Sequence, residues 1–191
     1  MVGADMKILH ASDIHGDVLY AWELVRVARK LGADIICCTG DFCYRGEKAA
    51  DVLRVLAEFG NVVAVWGDDD EYYRVPSKVD PPDGVEFVDE RRLRLNGFVF
   101  SGIPTRRGIV LTHVPPPSFF DPPTLLLGDA RKRRWLKEEP LCLLCGHLHF
   151  FPKVRLVRTG NGLLLWSRAG ARKPVLIDLE RLSGKIVKIR G

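Results

Sequence analysis

Aspartate and histidine recur in this chain in short patterns that could grip a divalent cation: Asp13-Ile-His15, Gly40-Asp41, Thr112-His113 and Gly146-His147-Leu148-His149. Four of the five histidines fall inside them, a concentration that chance seldom produces. Imidazole nitrogens and carboxylate oxygens together form a donor set suited to Mn²⁺, Fe or Zn²⁺ rather than to calcium, which favours oxygen alone. There are enough donors for two ions side by side. The chemistry this implies is metal-dependent hydrolysis, in which cations acidify a water and stabilise charge on the reacting group.

Residues so far apart must be gathered by the fold. The first third alternates strand and helix signals: an apolar strand at Lys7–Ala11, helical spacing over Val18–Leu31 stopped by Gly32, and a β-branched run at Asp34–Cys38. A second helix follows at Lys48–Phe59, then a buried strand at Val62–Trp66. Strands alternating with helices pair in parallel through right-handed crossovers, and ligands collect beyond the carboxyl ends of such strands. Asp13 and His15 follow the first strand, Asp41 the second and Asp68 the third, so three strand ends deliver acids to one rim.

Beyond residue 84 the strands shorten, at Val85–Val88, Arg92–Leu95, Phe98–Ser101 and Ile109–Thr112. A Pro-rich loop, Val114–Pro123, leads to a charged helix near Asp129–Glu138, and Leu141–Cys145 is again a buried strand. The tail, Lys153–Val157, Gly162–Trp166, Pro174–Asp178 and Lys185–Ile189, reads as an antiparallel meander. Two facing mixed sheets with helices outside, a four-layer α-β-β-α sandwich in one α/β domain over residues 1–191, accommodates these elements.

In order and spacing the patterns resemble those of the calcineurin-like metallophosphoesterases. That family runs Asp-x-His, Gly-Asp, Gly-Asn-His-Asp or Gly-Asn-x-Asp, a lone His, then Gly-His-x-His. The match spans residues 7–150, and the Thr112-His113-Val114-Pro115-Pro116 segment and short length are similar to the small prokaryotic phosphoesterases. The resemblance implies that Asp13, His15 and His149 hold a first metal, Asp41 bridges, and Asp68, His113 and His147 complete a second site. It also implies two divalent ions, Mn²⁺ foremost with Fe, Zn²⁺ or Ni²⁺ as alternatives, and hydrolysis of a phosphate ester by a hydroxide shared between them. His10 matches no ligand position and reads as a packing or supporting residue.

The third pattern departs from the family. Asp68 stands where the family has Asn, and Asp69 where many members have a histidine that assists the transition state. Asp69 could donate a proton only as the neutral acid, which neighbouring cations disfavour. Surplus carboxylates also repel a monoester dianion more than a diester monoanion. The expectation is a phosphodiesterase, with Asp41 and Asp69 as the candidate catalytic carboxylates. Arg45 is a candidate phosphate contact or a partner for Asp68–Asp70. Pro115–Pro117 and Phe119–Phe120 are candidate walls of a substrate cleft. Two other readings stay open: a non-catalytic scaffold of the same fold, as in the retromer subunit that resembles this family, and a nuclease acting on DNA or RNA.

Composition sets outer bounds. Nothing near Met1 reads as a signal peptide, and no apolar run reaches the ~18–20 residues a membrane span needs, so the expected address is the cytoplasm with no membrane partner. Five cysteines, four of them in apolar runs, read as core residues. A net charge of +5 and clusters such as Arg131-Lys132-Arg133-Arg134 could attract nucleic acid, though a solvated surface is the preferred reading. Absence of glutamine, only three asparagines and many charged residues resemble proteins from hot habitats. A homodimer through the β-rich tail is compatible with the pattern.

Overall fold

The computed structural model describes residues 6–118, 121–159 and 162–189. Phe119 and Phe120 lie outside the described residues. Among the described residues, twelve strands form two six-stranded sheets. The first has the order β12-β11-β1-β2-β3-β4, from β1 (Lys7–Ala11), β2 (Ile35–Thr39), β3 (Val62–Val65), β4 (Val85–Phe87), β11 (Val175–Asp178) and β12 (Ser183–Ile186). The second has the order β5-β6-β7-β8-β10-β9, from β5 (Arg92–Leu95), β6 (Phe98–Ser101), β7 (Ile109–Thr112), β8 (Cys142–Cys145), β9 (Lys153–Thr159) and β10 (Gly162–Arg168).

Alternation along the strands assigns their two faces. Ile8, Ile35, Cys37, Val63 and Val65 point between the sheets and meet Phe100, Ile109, Leu111, Cys142 and Leu144. The alternate set, Leu9, Ala11, Ile36, Cys38 and Ala64, packs under α1 (Val18–Leu31) and α2 (Ala49–Ala57). Because both faces of β1 to β3 are covered, these strands read as continuous apolar runs. Helix α1 starts where Asp17 accepts the Tyr20 amide at 2.9 Å and stops at Gly32 in the left-handed region. Tyr20, Leu24, Val27 and Ala28 are its buried stripe. All five cysteines are buried, and burial raises the Cys38 thiol pKa to about 12. Cys142 and Cys145 fall on opposite faces of β8, in separate clusters, so that pair is core packing.

Four parts of the chain differ from the sequence reading. The tail is not one meander. Strands β9 and β10 form a hairpin in the second sheet, with β10 parallel to β8, whereas β11 and β12 form a hairpin in the first, with β11 antiparallel to β1. Alternation reports that a strand has two faces, not which sheet receives it. The charged segment Ala130–Glu138 is a 3-10 helix, not an α-helix. Trp135 and Leu136 anchor the segment on the outer face of the second sheet. Two short helices arise where the sequence reading places no element: α3 (Asp68–Tyr72), whose four acids at 68–71 suit a helix N-terminus, and α4 (Pro123–Leu127).

Candidate metal centre

The carboxyl ends of β1, β2, β3, β7 and β8 converge, and seven side chains meet there in two groups. Asp13, His15, Asp41 and His149 form one; Asp68, His113 and His147 form the other, with ligand atoms in each within 4.8 Å of one another. In the first, His149 Nε2 lies 3.2 Å from Asp13 Oδ1 and 3.2 Å from His15 Nε2. In the second, Asp68 Oδ1 lies 2.7 Å from His113 Nε2 and 3.3 Å from His147 Nδ1. Asp41 stands between them. Its Oδ2 is 3.9 Å from His15 Nε2 and 3.2 Å from His113 Nε2.

The local backbone is shaped to bring these groups this close. Asp13, His15, Asp41 and His147 all have φ between 47° and 66°, the left-handed region that L-residues seldom occupy. Such strain costs of the order of 1 kcal/mol or more per residue and persists where the surroundings enforce it. They do: the Asp13, His15 and Gly16 amides donate to the Gly40, Asp41 and Phe42 carbonyls, stitching the first loop to the second. Glycines let the loops approach. A Cβ on Gly67 would overlap Asp41 Oδ1, and one on Gly146 would overlap Ser12 Oγ. Gly67→Ala is therefore expected to lose about 1–3 kcal/mol by overpacking and to bind fewer metal ions; thermal melts and metal analysis of the purified variant check this.

Sequence reasoning missed two of the supports, Asp70 and Asp121. Asp70, fully buried, accepts the amides of Phe42, Cys43 and Gly67 at 2.9–3.1 Å, so it locks the second and third loops together. Burial raises its pKa despite those amides. An acid three residues into a helix that follows Gly67 is the available signal, as the return half of a capping box. The Thr39 carbonyl accepts from His113 Nδ1 at 2.6 Å, which fixes the proton there and leaves the Nε2 lone pair free. His10 is a supporting residue as expected: it bridges Ser167 and Thr39 at 2.8 and 3.0 Å, and burial lowers its pKa to about 3, so it stays neutral. The other support is Asp121, buried and bound by Arg168 through two contacts of 2.9 Å and by Trp166 Nε1 at 3.1 Å. Arg168 also reaches the Leu148 carbonyl between the last two histidines, at 3.5 Å.

Asp69 stands at the site, its amide donating to Asp41 Oδ1 at 3.1 Å and its Oδ2 3.6 Å from His15 Nδ1. Arg45 is exposed with its guanidinium 5.5 Å over the Tyr44 ring, and among the described residues it makes no ion pair with Asp68, Asp69 or Asp70.

The donor set fits divalent cations. Asp13 Oδ2 is buried with no hydrogen-bond partner, and buried His113 Nε2 faces only the carboxylates of Asp41 and Asp68. Orphaned buried atoms are costly, and a cation at each group relieves both. Without cations the carboxylates recruit protons instead. His149 is pulled above the usual histidine range by Asp13, and at His113 burial, which opposes charging, is outweighed by Asp41 and Asp68. Raised histidine pKa values stabilise the stripped fold fully below the unfolded value near 6.5 and lose that contribution as pH climbs through the folded values. Metal binding displaces those protons and strengthens as pH rises. The gap in Tm between manganese-loaded and chelator-stripped protein should widen from pH 6 to pH 8, which parallel melts measure.

The sequence model of the calcineurin-like phosphoesterases matches residues 6–151, most of the chain and every residue of both groups. The chain belongs to that family. A search of curated proteins finds no match. Among solved structures, that of TT1561 from Thermus thermophilus superposes on this calcineurin-like phosphoesterase with a TM-score of 0.75 at 17% identity, covering 98% of this chain and 100% of the other. An archaeal phosphodiesterase superposes with a TM-score of 0.56 at 14% identity, over 96% and 100% of the two chains. Yfce, a phosphoesterase from E. coli, gives 0.51 at 20% identity, over 97% and 100%. At these identities the likeness establishes the fold, the two-sheet architecture that members of the family share. No described helix is long and apolar enough to cross a membrane.

Proposed function

We propose that this phosphoesterase is a dinuclear enzyme that hydrolyses phosphodiesters, with manganese as its working metal. The carrying observation is Asp41, whose Oδ2 lies within 4 Å of an imidazole nitrogen from each group, so one carboxylate serves both ions. In this reading Asp13, His15 and His149 hold the first ion, and Asp68, His113 and His147 hold the second. Bound divalent cations supply an acidified water and Lewis acidity toward phosphate oxygens.

The chain's own residues supply geometry and charge. Thr39 and the linked loops hold the donors in place, so little rearrangement is needed at reaction. Asp69 takes a supporting part, its carboxylate set against His15 Nδ1 in the manner of a carboxylate that orients a ligand imidazole. In that position it offers no ready proton to a departing group. Asp68 and Asp69 add negative charge where the family pattern has neutral side chains, which burdens a dianionic monoester more than a monoanionic diester. The description of one solved protein of this fold as an archaeal phosphodiesterase accords with the reading.

The manganese-loaded protein is expected to turn over bis(p-nitrophenyl) phosphate at least about tenfold faster than p-nitrophenyl phosphate, a difference of roughly 1.4 kcal/mol in barrier. The reverse order would remove the diester assignment. Inactivity on both esters with manganese, iron, zinc and nickel would leave a binding scaffold.

A further inference from the structure

Five large apolar side chains reach into solvent from two short segments. Leu125, Leu126 and Leu127 stand on α4, and Phe150 and Phe151 follow the last ligand histidine. Leu126 is 90% exposed and Phe150 79%. The two segments meet at Asp121: the Thr124 amide donates to its carbonyl at 2.9 Å, and Lys153 Nζ lies 3.3 Å from its Oδ1. The leucines therefore begin just past Thr124 and the phenylalanines end two residues short of Lys153, in one patch. Single apolar residues at a surface need no explanation, but a cluster of this kind marks a contact.

Its surroundings are basic. Residues 121–158 hold eight Lys and Arg against four Asp and Glu, so this stretch supplies +4 of the chain's net +5. Asp121 is spent on Arg168 and Lys153, Asp129 on Arg131, and Glu139 on Arg106. Arg133, Arg134 and Arg155 are exposed and make no ion pair among the described residues. Only Gly128 and Asp129 separate α4 from the segment that carries Arg133 and Arg134, and Trp135 anchors that segment on the outer face of the second sheet. Arg155 is in register with Trp166 and stands on the same face. Uncompensated cations and exposed apolar side chains thus share one side of the molecule.

We propose that this side docks the protein on an anionic lipid surface, the leucines and phenylalanines entering the hydrocarbon boundary and the arginines lying among headgroups. Such an interface rewards apolar side chains and cations together, and it needs no spanning helix. A sequence without a span therefore does not forbid it. Charge argues against a second copy as the occupant, because two such faces would set arginine against arginine. The three leucines argue against nucleic acid, whose bases call for aromatic platforms. Phe150 adjoins ligand His149, with ring centroids 6.1 Å apart, so docking brings the first ligand group to the lipid surface.

The test is flotation of the full chain with vesicles. Partition onto phosphatidylcholine vesicles containing phosphatidylglycerol should exceed partition onto phosphatidylcholine alone by at least about tenfold, and added salt should weaken it. Leu126→Ser combined with Phe150→Ser removes apolar surface at two exposed positions. It should lower partition onto the anionic vesicles by at least about tenfold while leaving Tm unchanged. Arg133→Gln combined with Arg134→Gln should lower it as well. Flotation with neither vesicle overturns the proposal, as does equal flotation of the parent and the serine variant. A stable dimer in sedimentation that the serine variant abolishes would assign the patch to a second copy, and tight binding of single-stranded DNA that it abolishes would assign it to nucleic acid; either overturns the proposal. Turnover plays no part in the readout, so the proposal stands or falls apart from the diester assignment.

Discussion

Asp41→Asn is expected to lower kcat/KM on a diester by about a thousandfold, a loss of roughly 4 kcal/mol of transition-state stabilisation. The substitution keeps the shape and keeps an oxygen to accept the Asp69 amide, so the variant should fold. What it removes is the charge that faces a histidine in each group, at 3.9 Å from His15 and 3.2 Å from His113. Metal content should fall from two ions per chain toward one. A variant that retains two ions and a rate within tenfold of the parent would show that Asp41 does not bridge.

The second large effect concerns stability. Asp121 is completely buried and receives Arg168, Trp166 and Lys153, the last at 3.3 Å. Asp121→Ala leaves a guanidinium buried without its carboxylate, a change that costs about 3–5 kcal/mol. For a chain of this size, that converts to a fall in Tm of roughly 6–20 °C. Adding Arg168→Met to the same protein removes the stranded charge and should recover much of the loss. A fall of less than about 2 °C for the single variant would mean that water reaches the pair. Arg168 also touches the Leu148 carbonyl, so the single variant should bind metal more weakly even where it stays folded.

The site is more legible in the sequence than the scaffold around it. Its ligands are short polar insertions at the ends of apolar strands, and Asp13, Asp41, Asp68, His113 and His147 each stand out against Ile, Val, Leu and Cys neighbours. Helix α1 is legible for a related reason: Tyr20, Leu24 and Ala28 recur at helical spacing between Asp17 and Gly32. The tail is not, because Val175 and Ile177 would serve as inward residues of either sheet; only pairing with β1 assigns them. Asp121 is illegible as a support, since what distinguishes it is burial against a distant guanidinium, and Asp70 is legible only in its capping-box spacing after Gly67, not in the distant Phe42 and Cys43 amides it accepts. Lys132 reads with its basic neighbours as solvated surface, yet it turns inward to Thr112 and Val114. One side chain in a run of four can differ in fate when its partner is twenty positions away.

The placement of β11 beside β1 bears on how the chain is made. Strand β1 lies inside the first sheet, with β2 on one side and β11 on the other. During synthesis its first neighbour emerges within some thirty residues, its second only after Val175. Through most of translation, one row of amides and carbonyls along Lys7–Ala11 has no β-partner of its own chain. An unpaired apolar edge of that kind invites other chains. Chains truncated ahead of Val175 should accordingly be collected as aggregates and not as smaller native molecules.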